Sequence, residues 1–145
     1  MKEANSKSRQ GRLNRAAGAR FELKVRAELE SQGWIIDKWT NNVDLELKKL
    51  VKAKRKYNPF MKILVIGTGF PDFVGIKRAG KKYDVIGIEV KRKGYLDKDE
   101  KEKSAWLIEN KIFSKILIAK LVKNGKRLKI EYVDFMEKYE MSGEI

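Results

Sequence analysis

Two runs rich in strand-forming residues, 73–77 and 83–91, are separated only by Arg78-Ala79-Gly80-Lys81-Lys82. A glycine among polar residues between two such runs predicts a tight reversal, so the runs are expected to pair as an antiparallel hairpin. With the turn centred between Gly80 and Lys81, paired positions sum to 161, and Asp72 stands opposite Glu89. Opposed Cβ atoms in such a pair lie about 4.5–5.5 Å apart. Because side chains alternate along a strand, Glu89 and Lys91 share the face of Asp72, while Ile86, Ile88 and Val90 point the other way. A slip of one residue in the turn removes this opposition, so the whole constellation depends on the register.

The flanking segments supply the rest of a domain. From Ala16 to Gln32 the apolar residues Ala17, Phe21, Val25 and Leu29 recur every four positions, the stripe of an amphipathic helix, and Gly33 is a natural stop. Residues 1–15, carrying Lys2, Lys7, Arg9, Arg12 and Arg15 without an apolar period, read as a flexible basic arm ahead of a single domain over 16–145. Residues 34–40 have strand composition and Asn41-Asn42 marks a turn. Residues 44–57 read as a helix with Leu47, Leu50 and Val51 inward, broken by Asn58-Pro59, and 61–66 is a short buried strand. After the hairpin, 96–110 reads as a helix with Trp106 and Leu107 toward the core. Strands 116–122 and 128–133 then surround Asn124-Gly125, and Asp134 opens a short final helix. The expected fold is α/β, a central mixed sheet flanked by helices. Trp34, Trp39 and Trp106 are assigned to the core rather than to base stacking.

Composition limits the chemistry such a fold can carry. The 145 residues contain neither cysteine nor histidine, which excludes thiol nucleophiles, imidazole bases and zinc sites built from those side chains. Carboxylate and lysine chemistry remains, and oxygen donors select hard cations such as Mg²⁺, with Mn²⁺ as a substitute. The net charge of +14 favours a polyanion, DNA or RNA, as partner. No run approaches the roughly 18 apolar residues of a membrane span, and no apolar signal segment is visible, so a cytoplasmic protein with no membrane partner is expected. Two facing carboxylates repel unless a cation lies between them. Asp72 and Glu89, with the Val90 backbone carbonyl, therefore read as Mg²⁺ ligands, and Lys91 as the group that orients or helps deprotonate an attacking water and pairs with a phosphate.

Gly67-Thr68-Gly69-Phe70-Pro71-Asp72-Phe73 followed by Gly87-Ile88-Glu89-Val90-Lys91 resembles the PD-(D/E)xK nuclease superfamily, whose members use the Asp and Glu as metal ligands and the Lys in catalysis. Gly18-x-x-x-Glu22, with Leu29 and Gly33-Trp34 after it, is similar to the first helix of archaeal Holliday-junction resolvases. That resemblance implies a restriction-endonuclease-like core, adds Glu22 to the catalytic and metal site, and implies a homodimer acting on branched DNA. The helix after the motif resembles that of virus-type replication-repair nucleases, and Lys103 stands where those proteins often carry a glutamine. The strand 35–39 lacks the arginine and serine frequent in resolvases, and residues 41–60 have no counterpart in the family.

Arg12, Arg15, Arg20, Lys52, Lys54, Arg55, Lys56, Arg92, Lys93 and Lys103 are the expected nucleic-acid contacts, with a solvated cationic face as the alternative for the run 48–56. The function expected is a Mg²⁺-dependent, structure-specific DNA endonuclease. The alternatives are a binding protein that keeps the nuclease fold without turnover, and an RNA-processing nuclease.

Overall fold

The structure, a computed structural model, describes residues 2–58, 63–66 and 69–140. The chain runs α1 (Lys2–Ser31), β1 (Ile35–Lys38), β2 (Asn41–Asp44), β3 (Lys49–Lys52), β4 (Arg55–Asn58), β5 (Ile63–Ile66), β6 (Phe73–Ala79), β7 (Lys82–Val90), α2 (Lys98–Glu109), β8 (Lys115–Asn124), β9 (Arg127–Asp134) and α3 (Phe135–Glu140).

Five strands form the central mixed sheet in the order β1-β6-β7-β8-β9. Every neighbouring pair is antiparallel except β7 and β8, which run parallel because α2 carries the chain back across the sheet between them. Both hairpins of the central sheet close on the same two-residue sequence. Gly80-Lys81 joins β6 to β7 and Gly125-Lys126 joins β8 to β9. In each turn the glycine takes a positive φ, +64° and +67°, a region where a Cβ is costly.

The sheet separates two apolar layers. Phe21, Val25 and Leu29 of α1 pack with Ile36, Phe73, Ile86, Ile88 and Ala119 on one face. Leu107 of α2 and Phe135 and Tyr139 of α3 pack with Ile116, Ile118, Phe113 and Phe70 on the other. These are the alternate residues of the same strands, as the period of two requires. Trp39 meets Phe113 edge-on at 5.1 Å between ring centroids, and Trp34 and Trp106 also pack against the core. Among the described residues no helix is long and apolar enough to cross a membrane.

Three local expectations give way to the structure. Helix α1 begins at Lys2, so residues 2–15 are its N-terminal half rather than an unstructured arm. The stretch 2–24 contains no proline and no β-branched residue, and side-chain bonds such as Gln10 to Asn14 at 3.0 Å follow the helical spacing. The helix expected over 44–57 is instead the β2–β3 hairpin followed by β4. Asp44 decides the outcome locally: its Oδ1 accepts the N–H groups of Glu46 and Leu47, both at 3.0 Å, and Lys48 at φ +51° completes the reversal. Asn41-Asn42, expected as a turn, opens β2, with Asn41 opposite Lys52.

Candidate active site

The register of the β6–β7 hairpin decides which side chains can meet. Phe73 pairs with Ile88 and Ala79 with Lys82, the arrangement in which positions sum to 161. Asp72, the residue before β6, continues that ladder through its side chain, with Oδ2 accepting the Val90 N–H at 2.8 Å. The Val90 group that meets Asp72 is thus its amide N–H. The Asp72 and Glu89 carboxyls share a hydrogen bond.

Glycines make room for this approach. A Cβ on Gly87 would stand 2.7 Å from Cγ of Pro71, so the bare strand backbone lets Pro71 lie against it and set Asp72 at the strand end. A Cβ on Gly69 would stand 2.3–2.4 Å from the carbonyl oxygens of Asn41 and Trp39. Gly69 therefore serves the close approach of two backbones, whose bonds include Phe70 N–H to Asn41 at 2.8 Å. Gly67 and Thr68 of the expected loop lie outside the described residues.

Glu89 is only 4% exposed. Burial, first, and the hydrogen bond and charge of Asp72, next, raise its pKa far above the ordinary carboxylate range, with Glu100 adding to the rise and Lys91 opposing it. Glu22, on the α1 side, is raised by burial and then by the charge of Asp72, with Lys38 opposing. Asp72, ahead of β6, thus acts on both Glu22 of α1 and Glu89 near the end of β7. Among the described residues no group of three or more acidic side chains is placed to hold a metal ion, so Asp72 and Glu89 form the tight pair and Glu22 borders it.

Lys91 leaves the end of β7 with its backbone N–H bonded to Ala119 at 2.9 Å, and its ammonium lies 2.6 Å from Glu100 Oε2. Burial alone lowers the pKa of this lysine. The hydrogen bond and charge of Glu100, with the charges of Glu89 and Asp97, outweigh that effect and raise it. Glu100 is fixed by a reciprocal cap at the start of α2, in which its Oε1 accepts the Asp97 N–H at 3.0 Å while Asp97 Oδ1 accepts the Glu100 N–H at 2.8 Å. Sequence reasoning missed Glu100. The signal was present in Asp97-x-x-Glu100 ahead of an apolar run, which fixes a glutamate on the first turn of the helix that follows the lysine.

The other candidate positions divide by location. Arg92 and Lys93 are exposed beside Glu22 and Lys91, around a cavity of about 400 Å³. Arg12, Arg15 and Arg20 are exposed along α1, and Lys52 and Lys54 are exposed on and after β3. Arg55 and Lys56 fall in β4, their side chains lying outside the described residues. Lys103 sits one turn beyond Glu100, its ammonium 5.9 Å from the ring centroid of Phe70, so Glu100, rather than Lys103, is the α2 side chain that meets the constellation. Compared with models of protein families, with curated proteins and with solved structures, the chain matches none of them.

Proposed function

We propose that the protein is a phosphodiester hydrolase that requires a divalent cation. The observation that carries this reading is the pairing of the buried Glu89 carboxyl with the half-buried Asp72 carboxylate beside the Lys91 ammonium, at the open end of one hairpin. Nothing in the packing of a sheet requires a buried acid to share a strand end with a second, half-buried one, and such a pair is costly without a cation. The donor set is all oxygen, which fits Mg²⁺ or Mn²⁺; Mg²⁺ is commonly held by one or two carboxylates, with waters and phosphate oxygens completing its shell. Asp72 and Glu89 would hold the ion, bordered by Glu22. Such an ion supplies Lewis-acid polarisation of a phosphate and a nucleophilic water near neutral pH.

The chain's own groups define the remaining roles. The Val90 N–H orients the Asp72 carboxylate. Glu100 holds Lys91 in place and raises its pKa, so at neutral pH Lys91 is a cation that pairs with a phosphate oxygen and orients the attacking water. Deprotonation of that water by Lys91 is disfavoured for the same reason.

Within that class we assign the protein to DNA, as an endonuclease of the PD-(D/E)xK type on a restriction-endonuclease-like core. Support comes from the Pro71-Asp72 and Glu89-Val90-Lys91 segments, their paired register, the helix carrying Glu22, and a charge of +14 suited to a polyanion. The test is incubation of wild type, Asp72→Asn and Lys91→Ala with labelled duplex, single-stranded, flapped and four-way-junction DNA and with RNA, each in Mg²⁺, Mn²⁺ or chelator. Metal-dependent cutting by the wild type alone is expected. Binding without cutting, unchanged in both variants, would replace the enzyme with a nucleic-acid-binding protein, and preferential cutting of RNA would reassign the substrate.

A further inference from the structure

The cavity of about 400 Å³ beside the carboxyl pair is not explained by phosphate chemistry. Gly18 and Phe21 of α1, Val90 at the end of β7 and Tyr95 in the following turn give its lining an apolar character. Arg92 and Lys93 add exposed cations, and Glu22 and Lys91 join it directly to the candidate active site. A Cβ built on Gly18 meets nothing within 4 Å, so that helix position faces open space.

Tyr95 is 72% exposed, yet the turn that presents it is fixed at several points. Gly94 N–H bonds to Lys91 at 2.8 Å, Lys138 donates to the Gly94 carbonyl at 2.8 Å, and the Leu96 N–H donates to the Tyr139 hydroxyl at 3.2 Å. The Lys138 ammonium also stands 4.8 Å from the Tyr95 ring centroid. An aromatic ring held at the surface on a tied turn, among cations, presents a flat apolar surface to an anionic chain.

The geometry points to a binding site for one unpaired nucleotide of the substrate strand, next to the phosphate that the carboxyl pair addresses; this rests on the phosphodiesterase reading above. The volume falls within the roughly 300–1,000 Å³ of small-molecule sites, room for a single nucleotide. A base in a duplex is stacked and faces its partner, so its flat surface is available to Tyr95 only when the nucleotide is unpaired. Arg92 and Lys93 would meet the backbone of the strand entering the site. The preferred substrate is therefore DNA with an unpaired nucleotide at the cut, as at a flap, a gap or the crossing of a junction.

The test measures equilibrium binding in chelator, where no cutting interferes, by fluorescence anisotropy of a flapped duplex, the same flap with abasic positions at the branch, and a fully paired duplex. Wild type is expected to bind the intact flap about tenfold tighter than either control, the scale of one stacked base. Tyr95→Ala and Gly18→Leu, which remove the ring and fill the cavity, should abolish that margin while leaving duplex binding unchanged, and Tyr95→Phe should keep it. Equal affinity of wild type for flap, abasic flap and duplex, or variants that weaken all three alike, would overturn the pocket assignment. Cutting assays in Mg²⁺ on the same substrates separate the two readings. A flap preference that depends on Tyr95, without any cutting, supports the pocket and sinks the hydrolase. Cutting without that preference does the reverse, and failure to bind any substrate overturns both.

Discussion

The Lys91 ammonium stands 2.6 Å from Oε2 of Glu100, and the other oxygen of that carboxylate accepts the Asp97 N–H at 3.0 Å. One glutamate thus closes the N-terminal cap of α2 and holds the lysine of the candidate site. Glu100→Gln keeps the capping acceptor but removes the charge that, with its hydrogen bond, raises the lysine pKa. The variant is expected to fold, to lose roughly 10–100-fold in activity, the usual scale for a group that orients a ligand or catalytic residue, and to show an alkaline limb of its pH–rate profile shifted to lower pH. The shift distinguishes loss of charge at Lys91 from simple loss of cap strength, which leaves the profile in place.

Glu89 is an acid whose pKa is raised on folding from an ordinary value of 4.5. The folded state therefore binds a proton that the unfolded chain releases, and the associated stability is fully present below pH 4.5 and is lost as pH rises from there through neutrality toward the raised value. Glu89→Gln removes this pH dependence, since its amide mimics the protonated acid and can donate to Asp72. Without divalent cation at pH 8, Glu89→Gln should be more stable than wild type by roughly 1–2 kcal/mol, a few degrees in Tm. Thermal melts of both proteins across pH check this, and saturating Mg²⁺ should raise Tm for the wild type only.

Gly87 is where the fold and the site share one contact. Gly87→Ala places a Cβ 2.7 Å from Cγ of Pro71, and 3.2–3.3 Å from Phe113 and Ile116, none of them the end of a flexible side chain. Overpacking of this kind costs about 1–3 kcal/mol. Because Pro71 precedes Asp72, relief by displacement of the proline also moves the carboxylate. Urea unfolding should show the destabilisation, and cutting activity measured well below the transition should fall further than the unfolded fraction explains.

The hairpin with its register was legible because a glycine turn and the period of two act over a few residues, and the pairing of Phe73 with Ile88 follows from them. The α1 stripe was legible for the same reason, since Phe21, Val25 and Leu29 repeat on one helical face. Residues 44–57 misled because Leu47, Leu50 and Val51 fit a helix while Asp44 and Lys48 together make a turn. A single Asx turn outweighed the apolar period, and Leu47 is left exposed. For Glu100 the capping pattern was legible but its contact with Lys91 was not, because tertiary packing brings the two together, and the same holds for the turn of Tyr95, tied by Lys138. Phe70, Pro71 and Gly87 show the converse: their places in the sequence pointed to Asp72, but only their packing explains why it is held there.

Arg12 and Arg15 present a cationic surface on α1 ahead of its packed stripe. Arg12 and Arg15 are exposed and Phe21 is the first described apolar side chain of this helix that is buried. Four helical residues, about 6 Å of rise, separate Gly18, at the cavity, from Glu22, so the arginines lie along the same helix on the side away from the packed end. If they meet phosphates, each releases counterions, and the dependence of log K on log salt should become less steep by about 0.9 per arginine on duplex DNA. Arg12→Ala/Arg15→Ala is thus expected to bind DNA more weakly, with a slope reduced by about 2, and to melt at the wild-type temperature because exposed substitutions of this kind change stability by less than about 0.5 kcal/mol. Anisotropy titrations from low to moderate NaCl measure the slope. An unchanged slope would make this stretch of α1 a solvated face, and would return the search for the polyanion's path to Arg92 and Lys93 at the cavity.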